Sequence, residues 1–163
     1  MFNRRTLIMT HRSQSRRAYT LIDLTISVMI MGILAGVAMP RFAVLLDDYR
    51  ADAAARKIAG DLNYVARAAA NHSQDVTVVF DAATSSWTVP ELPHPDHPGS
   101  TWTVNLAAAG FPATLSAIDL GGDATVSFNV YSNPDTGGTI TVTSGTALRT
   151  VVLPAAGGNA VVQ

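Results

Sequence analysis

SRRAYTLIDLT, Ser15 to Thr25, is the stretch on which the reading of this chain turns. Arg16 and Arg17 are followed by Ala18 and Tyr19, and from Leu21 an apolar run begins with a single acid, Asp23, inside it. From Leu24 to Met39 the sequence LTISVMIMGILAGVAM runs for sixteen residues without a charge, and the stretch reaches nineteen residues when Leu21, Ile22 and Asp23 are added. As an α-helix, at about 1.5 Å per residue, that length covers roughly 30 Å, the thickness of a bilayer's hydrocarbon core.

Charge gives the run a direction. Arg4, Arg5, Arg12, Arg16 and Arg17 all precede residue 18, with no acid among them. Such an excess stays on the cytoplasmic side, so the remainder is expected to face the periplasm or the exterior. Beyond residue 18 the balance reverses, to six basic residues against twelve acidic ones, and only Arg149 lies after Arg67. With no basic patch to neutralise phosphates, no nucleic-acid partner is expected. The absence of cysteine excludes disulfides, thiol catalysis and zinc-thiolate sites. The 163 residues suffice for one domain with a modest core.

Three readings compete for the N-terminus. A plain single-pass anchor explains the length but leaves Asp23 an expensive mid-membrane carboxylate. A cleaved export signal, Sec or twin-arginine-like from Ser15-Arg16-Arg17, would release a soluble β domain with a ligand-binding or enzymatic role. Its small-residue cleavage site is poorly represented, Gly36-Val37-Ala38 being the nearest. The third reading uses every residue.

Ala18, then Tyr19-Thr20-Leu21-Ile22-Asp23, resembles the class III prepilin signal of type IV pilins and type II secretion pseudopilins, whose pattern is Gly, then Phe-Thr-Leu-x-Glu. The resemblance implies cleavage between Ala18 and Tyr19, before the apolar run, and N-methylation of Tyr19. Arg16 and Arg17 become the basic end of a cytoplasmic leader. Pro40, twenty-one residues after Tyr19, falls where the family carries a proline and is expected to kink the helix. Asp23, the fifth residue counted from Tyr19, is implied to pair with the N-terminal amine of a neighbouring subunit, since a buried charge is tolerable only when paired. Ala18 in place of glycine and Asp23 in place of glutamate are the two departures from the pattern.

After Pro40 the apolar residues step at helical spacing through Leu45, Tyr49 and Ala53, then Ala54, Ile58, Leu62, Val65 and Ala69, with one slip of register. Asp52 and Arg56 are placed to pair across one turn. The helix is expected to run from about Thr20 to Asn71. From Asp75 the period changes to that of strands. Val76–Phe80 and Ser86–Val89 form one hairpin, and PELPHPDHPGS is a loop or edge crossing. Thr101–Ala107, Ala113–Leu120 and Ala124–Ser132 follow as strands. NPDTGG is a turn, and a last hairpin turns at Ser144-Gly145, with Ile140, Val142, Leu148, Val151 and Leu153 as core candidates. The class is α+β: a long N-terminal α-helix, transmembrane in its first half, packed on an antiparallel β-sheet head. The expected divisions are a 1–18 leader, a 19–40 transmembrane or filament-core helix, a 41–72 amphipathic continuation and a 73–163 head.

LNYVARAAANHSQDVTVVFDAATSSWTV and FNVYSNPDTGGTITVTSGTALRTVVLPAAGGNAVV resemble the spine-helix end, first hairpin and closing strands of GspH/FimT-type minor pseudopilins. The pilin fold, a structural rather than enzymatic role in protein secretion, and a place in a secretion pseudopilus or type IV pilus are what this resemblance implies. The implied partners are other pseudopilins or pilins, prepilin peptidase and an inner-membrane assembly platform. No cofactor is expected. His94, Asp96 and His97 are metal-ligand types close in sequence, but no fourth ligand lies near, so the expectation is a surface loop without metal. NPDTGG carries one carboxylate, too few for calcium. There is no G-x-S-x-G motif and no phosphate-binding G-x-x-x-x-G-K-[ST] loop. Trp87 and Trp102 are expected in the core.

Overall fold

The computed structural model describes residues 19–163. The chain divides into two units at Met39/Pro40. One helix, α1 (Leu21–His72), contributes to both. Eight strands follow: β1 (Val76–Asp81), β2 (Ser86–His94), β3 (His97–Asn105), β4 (Thr114–Asp119), β5 (Thr125–Phe128), β6 (Gly138–Ser144), β7 (Ala147–Leu153) and β8 (Val161–Val162).

The first unit consists, among the described residues, of the helix start, with every side chain exposed. In the second unit the strands form two antiparallel sheets, in the orders β3-β2-β1-β5 and β4-β6-β7-β8. Ala54, Ile58, Leu62, Val65 and Ala69 of α1 are buried against residues of both sheets, among them Val78, Trp87, Phe128, Ile140 and Val151. This is the α+β arrangement expected from the change of period. Trp87 and Trp102 are both in the core.

Local chemistry ends the helix where the sequence leaves apolar spacing. Ser73 adopts φ 52°. Its N–H donates to the Ala70 carbonyl at 3.3 Å, and the Gln74 N–H to that of Ala69 at 3.2 Å. These two bonds satisfy the last carbonyls in a Schellman motif. Ser85, also at positive φ, joins the two sheets: its buried Oγ accepts from the Leu115 N–H at 3.2 Å.

Several expectations are corrected. Leu45 and Tyr49 are exposed, at 66% and 72%. The buried stripe begins at Ala51, and the slip of register marks where the helix leaves the core. Leu148 is 55% exposed, and Ala147 is the buried residue of its pair. Val151 and Leu153 set the inward phase of β7, and Leu148 is an odd number of positions from both. Of the two readings of PELPHPDHPGS, a loop or an edge crossing, the loop is the one corrected: its residues form the outer parts of β2 and of the edge strand β3, which turn at Pro95-Asp96. The prolines are accommodated by a register shift between Val89↔Trp102 and Pro93↔Thr101. Proline lacks a ladder donor, and an irregular stretch beside the edge strand β3 tolerates that lack. The strand expected over Ala124–Ser132 ends at Phe128, because the Asn129 carbonyl oxygen Oδ1 accepts from the N–H groups of Tyr131 and Asn133 at 2.9 and 3.1 Å. Strand β8 was not expected.

Candidate assembly site

Thr20 is the N-cap of α1. The Asp23 N–H donates to Thr20 Oγ1 at 3.3 Å. In return Asp23 Oδ2 accepts from the Thr20 hydroxyl at 2.9 Å and from its N–H at 3.3 Å. This is a capping box with aspartate in the position usually held by glutamate. An acid in the first turn also faces the positive end of the helix dipole. Asp23 therefore has a local partner even where it sits beside an apolar run.

The next turns leave no side-chain donor idle. Thr25 Oγ1 donates to the Ile22 carbonyl at 2.9 Å, and Ser27 Oγ to the Asp23 carbonyl at 2.7 Å. Backbone-bonded hydroxyls suit a helix that enters lipid or an apolar bundle. The segment is long and apolar enough to cross a membrane, and none of it is buried within the chain. Tyr19 is 92% exposed. Ala18, Arg16 and Arg17 lie outside the described residues.

Further along, α1 turns a charged stripe outward. Arg56 Nε bonds Asp52 Oδ2 at 2.7 Å, the pair expected from the spacing. Arg149 on β7 reaches Asp48 at 3.4 Å, tying the last hairpin to the helix. The turn of that hairpin comes close to α1 at Asp47: a Cβ on Gly145, at φ 54°, would collide with the Asp47 carboxylate.

Asp61 was not singled out by sequence, and it is the most buried carboxylate among the paired acids. Lys57 Nζ contacts its two oxygens at 2.6 and 2.8 Å, and the Trp87 indole N–H donates to Oδ2 at 3.2 Å. Burial pushes its pKa up, against the opposing pull of Lys57, Trp87 and His94. A four-residue Lys-to-Asp spacing on a helix was the available signal, but burial of that face is set by the sheet.

His94 and His97 are cross-strand partners at the β2–β3 turn, with ring centroids 5.0 Å apart. The Asp96 N–H donates to His94 Nδ1 at 3.1 Å, so the three residues build the turn. Among the described residues no three His, Cys, Asp or Glu side chains are grouped to hold a metal.

A long apolar helix start, with its continuation packed on antiparallel sheets, defines a pilin-like subunit. The family model of type II transport protein GspH matches residues 54–157, and the chain belongs to that family. No curated protein and no solved structure matches the chain.

Proposed function

We propose that this chain is a minor pseudopilin processed by prepilin peptidase, cut between Ala18 and Tyr19 and N-methylated on Tyr19. The 1–18 leader, with Arg16 and Arg17, stays in the cytoplasm. Residues 19–40 anchor the subunit in the inner membrane and then enter the filament core, with Pro40 as the point of bending. The 41–72 continuation carries the 73–163 head in the periplasm. Asp23 pairs with the N-terminal amine of a neighbouring subunit. The other pseudopilins, the peptidase and an inner-membrane assembly platform are its partners, and a separate ATPase drives extrusion. The role is structural, in type II protein secretion, and the same chemistry serves a type IV pilus.

The observation that carries this reading is the helix start. Its apolar side chains are all exposed, no part of it lies within the matched family region, and it still begins with an acid locked in a cap. A soluble domain would leave that surface in water. A bundle of like helices removes it.

Mass spectrometry of the mature N-terminus, from membranes of a host with a prepilin peptidase, tests it. The expected chain starts at N-methyl-Tyr19. A chain starting near Met39 would make this an exported soluble domain. An uncut chain would leave a plain anchor, or a peptidase that rejects Ala18.

A further inference from the structure

Asn63 and Ala160 make an unusual strand contact. Asn63 Oδ1 accepts from the Ala160 N–H at 2.8 Å, and Asn63 Nδ2 donates to the Ala160 carbonyl at 3.2 Å. The side-chain amide does here what the peptide group of an adjacent strand would do. Two residues on, at Val162, the same edge has no such partner among the described residues. Thr150 and Gln163 exchange both backbone hydrogen bonds, at 3.2 and 2.8 Å. The next pair, Val151↔Val162, is then non-hydrogen-bonded, so the Val162 N–H and C=O point away from β7, on the same side as those of Ala160.

Opposite Val162 the helix offers Ala59 and Gly60, which have no amide to extend, and the gap is an open groove of about 570 Å³. A Cβ on Gly60 would meet nothing within 4 Å. Two arginines, Arg56 and Arg149, and one acid, Asp52, line the groove, and Asp48, which pairs with Arg149, lies outside the lining. Asp52 engages Arg56 through Nε, which leaves the guanidinium Nη groups for another anion.

We propose that this groove takes an extended peptide segment of another protein, which continues the line begun by the Asn63 amide. The segment adds to β8 as a further strand through the N–H and C=O of Val162, and it presents an acidic side chain to Arg56. Backbone pairing supplies the extended conformation and the arginine supplies the preference for a carboxylate. The groove lies wholly in the Pro40–Gln163 unit, so this binding is separable from cleavage at Ala18 and from the role of Asp23.

The test is a titration of the full ¹⁵N-labelled chain in detergent micelles with the blocked peptide acetyl-Thr-Val-Asp-Val-Thr-amide, followed at the Val162 amide and the Asn63 side-chain amide. Saturable shifts are expected at both. The same peptide N-methylated at every backbone amide, which has no N–H to donate, is expected to bind at least about tenfold more weakly, as is the peptide with lysine in place of aspartate. Arg56→Ala is expected to remove the preference for aspartate over lysine while the Val162 shift persists. Val162→Pro deletes an N–H that β7 does not use and is expected to lose binding. If that variant does not fold, the N-methylated peptide makes the same comparison on the native chain. The proposal is overturned by the absence of a saturable shift at Val162, by equal binding of the N-methylated peptide, or by equal binding of the lysine peptide.

Discussion

Thr20 and Asp23 hold each other at the start of α1, hydroxyl to carboxylate at 2.9 Å and N–H to hydroxyl at 3.3 Å. The carboxylate therefore has two separable attributes, an acceptor for the cap and a charge. Asn in its place keeps an acceptor and loses the charge, whereas Ala loses both. On the proposed function Asp23→Asn and Asp23→Ala both fail to assemble, while Asp23→Ala alone also loses about 1 kcal/mol of helix capping. Pseudopili sheared from the host surface report assembly, and the mass of the processed chain reports cleavage. If Asp23→Asn assembles like the wild type, the cap suffices and the pairing with a neighbour's amine is wrong.

Leu148 and Leu153 lie on one strand and differ in burial, 55% against 3% exposed. Leu153→Ala is expected to cost about 2–5 kcal/mol, as deletion of a buried leucine does. Leu148→Ala is expected to cost no more than about 0.5 kcal/mol. Urea unfolding of the two variants checks the register of β7, and a larger loss at Leu148 than at Leu153 would place β7 one residue out of phase.

What could be read in advance follows from how local each signal is. Ala54, Ile58, Leu62, Val65 and Ala69 share one stripe, and their burial follows from period alone. Leu45 and Tyr49 carry the same spacing, yet no sheet covers them, and nothing within a helix says how far the sheet extends. Leu148 was misplaced although its phase against Val151 was visible. The prolines from Pro90 to Pro98 read as a break because proline removes donors, but a register shift beside an edge strand absorbs that loss. Strand β8 is two residues long, pairs with β7 and follows Ala160, which Asn63 bonds from nearly a hundred residues away in sequence, so no local pattern announces it. Asp23 stands out as a charge in an apolar run. Its cap with Thr20 is equally legible as a Thr-x-x-Asp spacing.

Gly138 and Gly145 sit at opposite ends of β6 and differ in what surrounds them. A Cβ on Gly138 would strike the Asp119 carbonyl and the Leu120 backbone, which cannot yield without breaking the β4–β6 ladder. A Cβ on Gly145 would meet the end of the Asp47 side chain, which can rotate away at the cost of its contact with Arg50, and that cost adds to that of a left-handed backbone. Gly138→Ala is expected to cost about 3 kcal/mol and Gly145→Ala about 1–2 kcal/mol. In a double-mutant cycle Asp47→Ala should recover part of the loss at Gly145 and none at Gly138. Thermal unfolding of the three single and two double variants measures this, and recovery at Gly138 would contradict the packing described.

The pH dependence of stability isolates Asp61. Burial raises its pKa in the folded state above the unfolded value, and the Lys57 ammonium, the Trp87 indole and His94 offset only part of that rise. Between the unfolded value, about 4, and the raised folded value, the native chain holds a proton that the unfolded chain has released. Stability then falls as pH rises through this window and is regained as pH falls. Asp81 has the opposite sign: the Thr84 hydroxyl and the Ala83 N–H lower its pKa, so its contribution is lost on acidification below the unfolded value. The total curve therefore mixes the two, and the comparison must be with Asp61→Asn, which keeps an acceptor for Trp87 and cannot titrate. Asp81 is common to both chains and cancels. The stability of the wild type relative to Asp61→Asn is expected to increase as pH is lowered from 7 towards 4, followed by near-ultraviolet circular dichroism, which senses the packing of Trp87. A flat difference would mean that Lys57 fully compensates the burial. A difference that shrinks on acidification would mean that the ion pair outweighs burial and that Asp61 stabilises the head as a carboxylate.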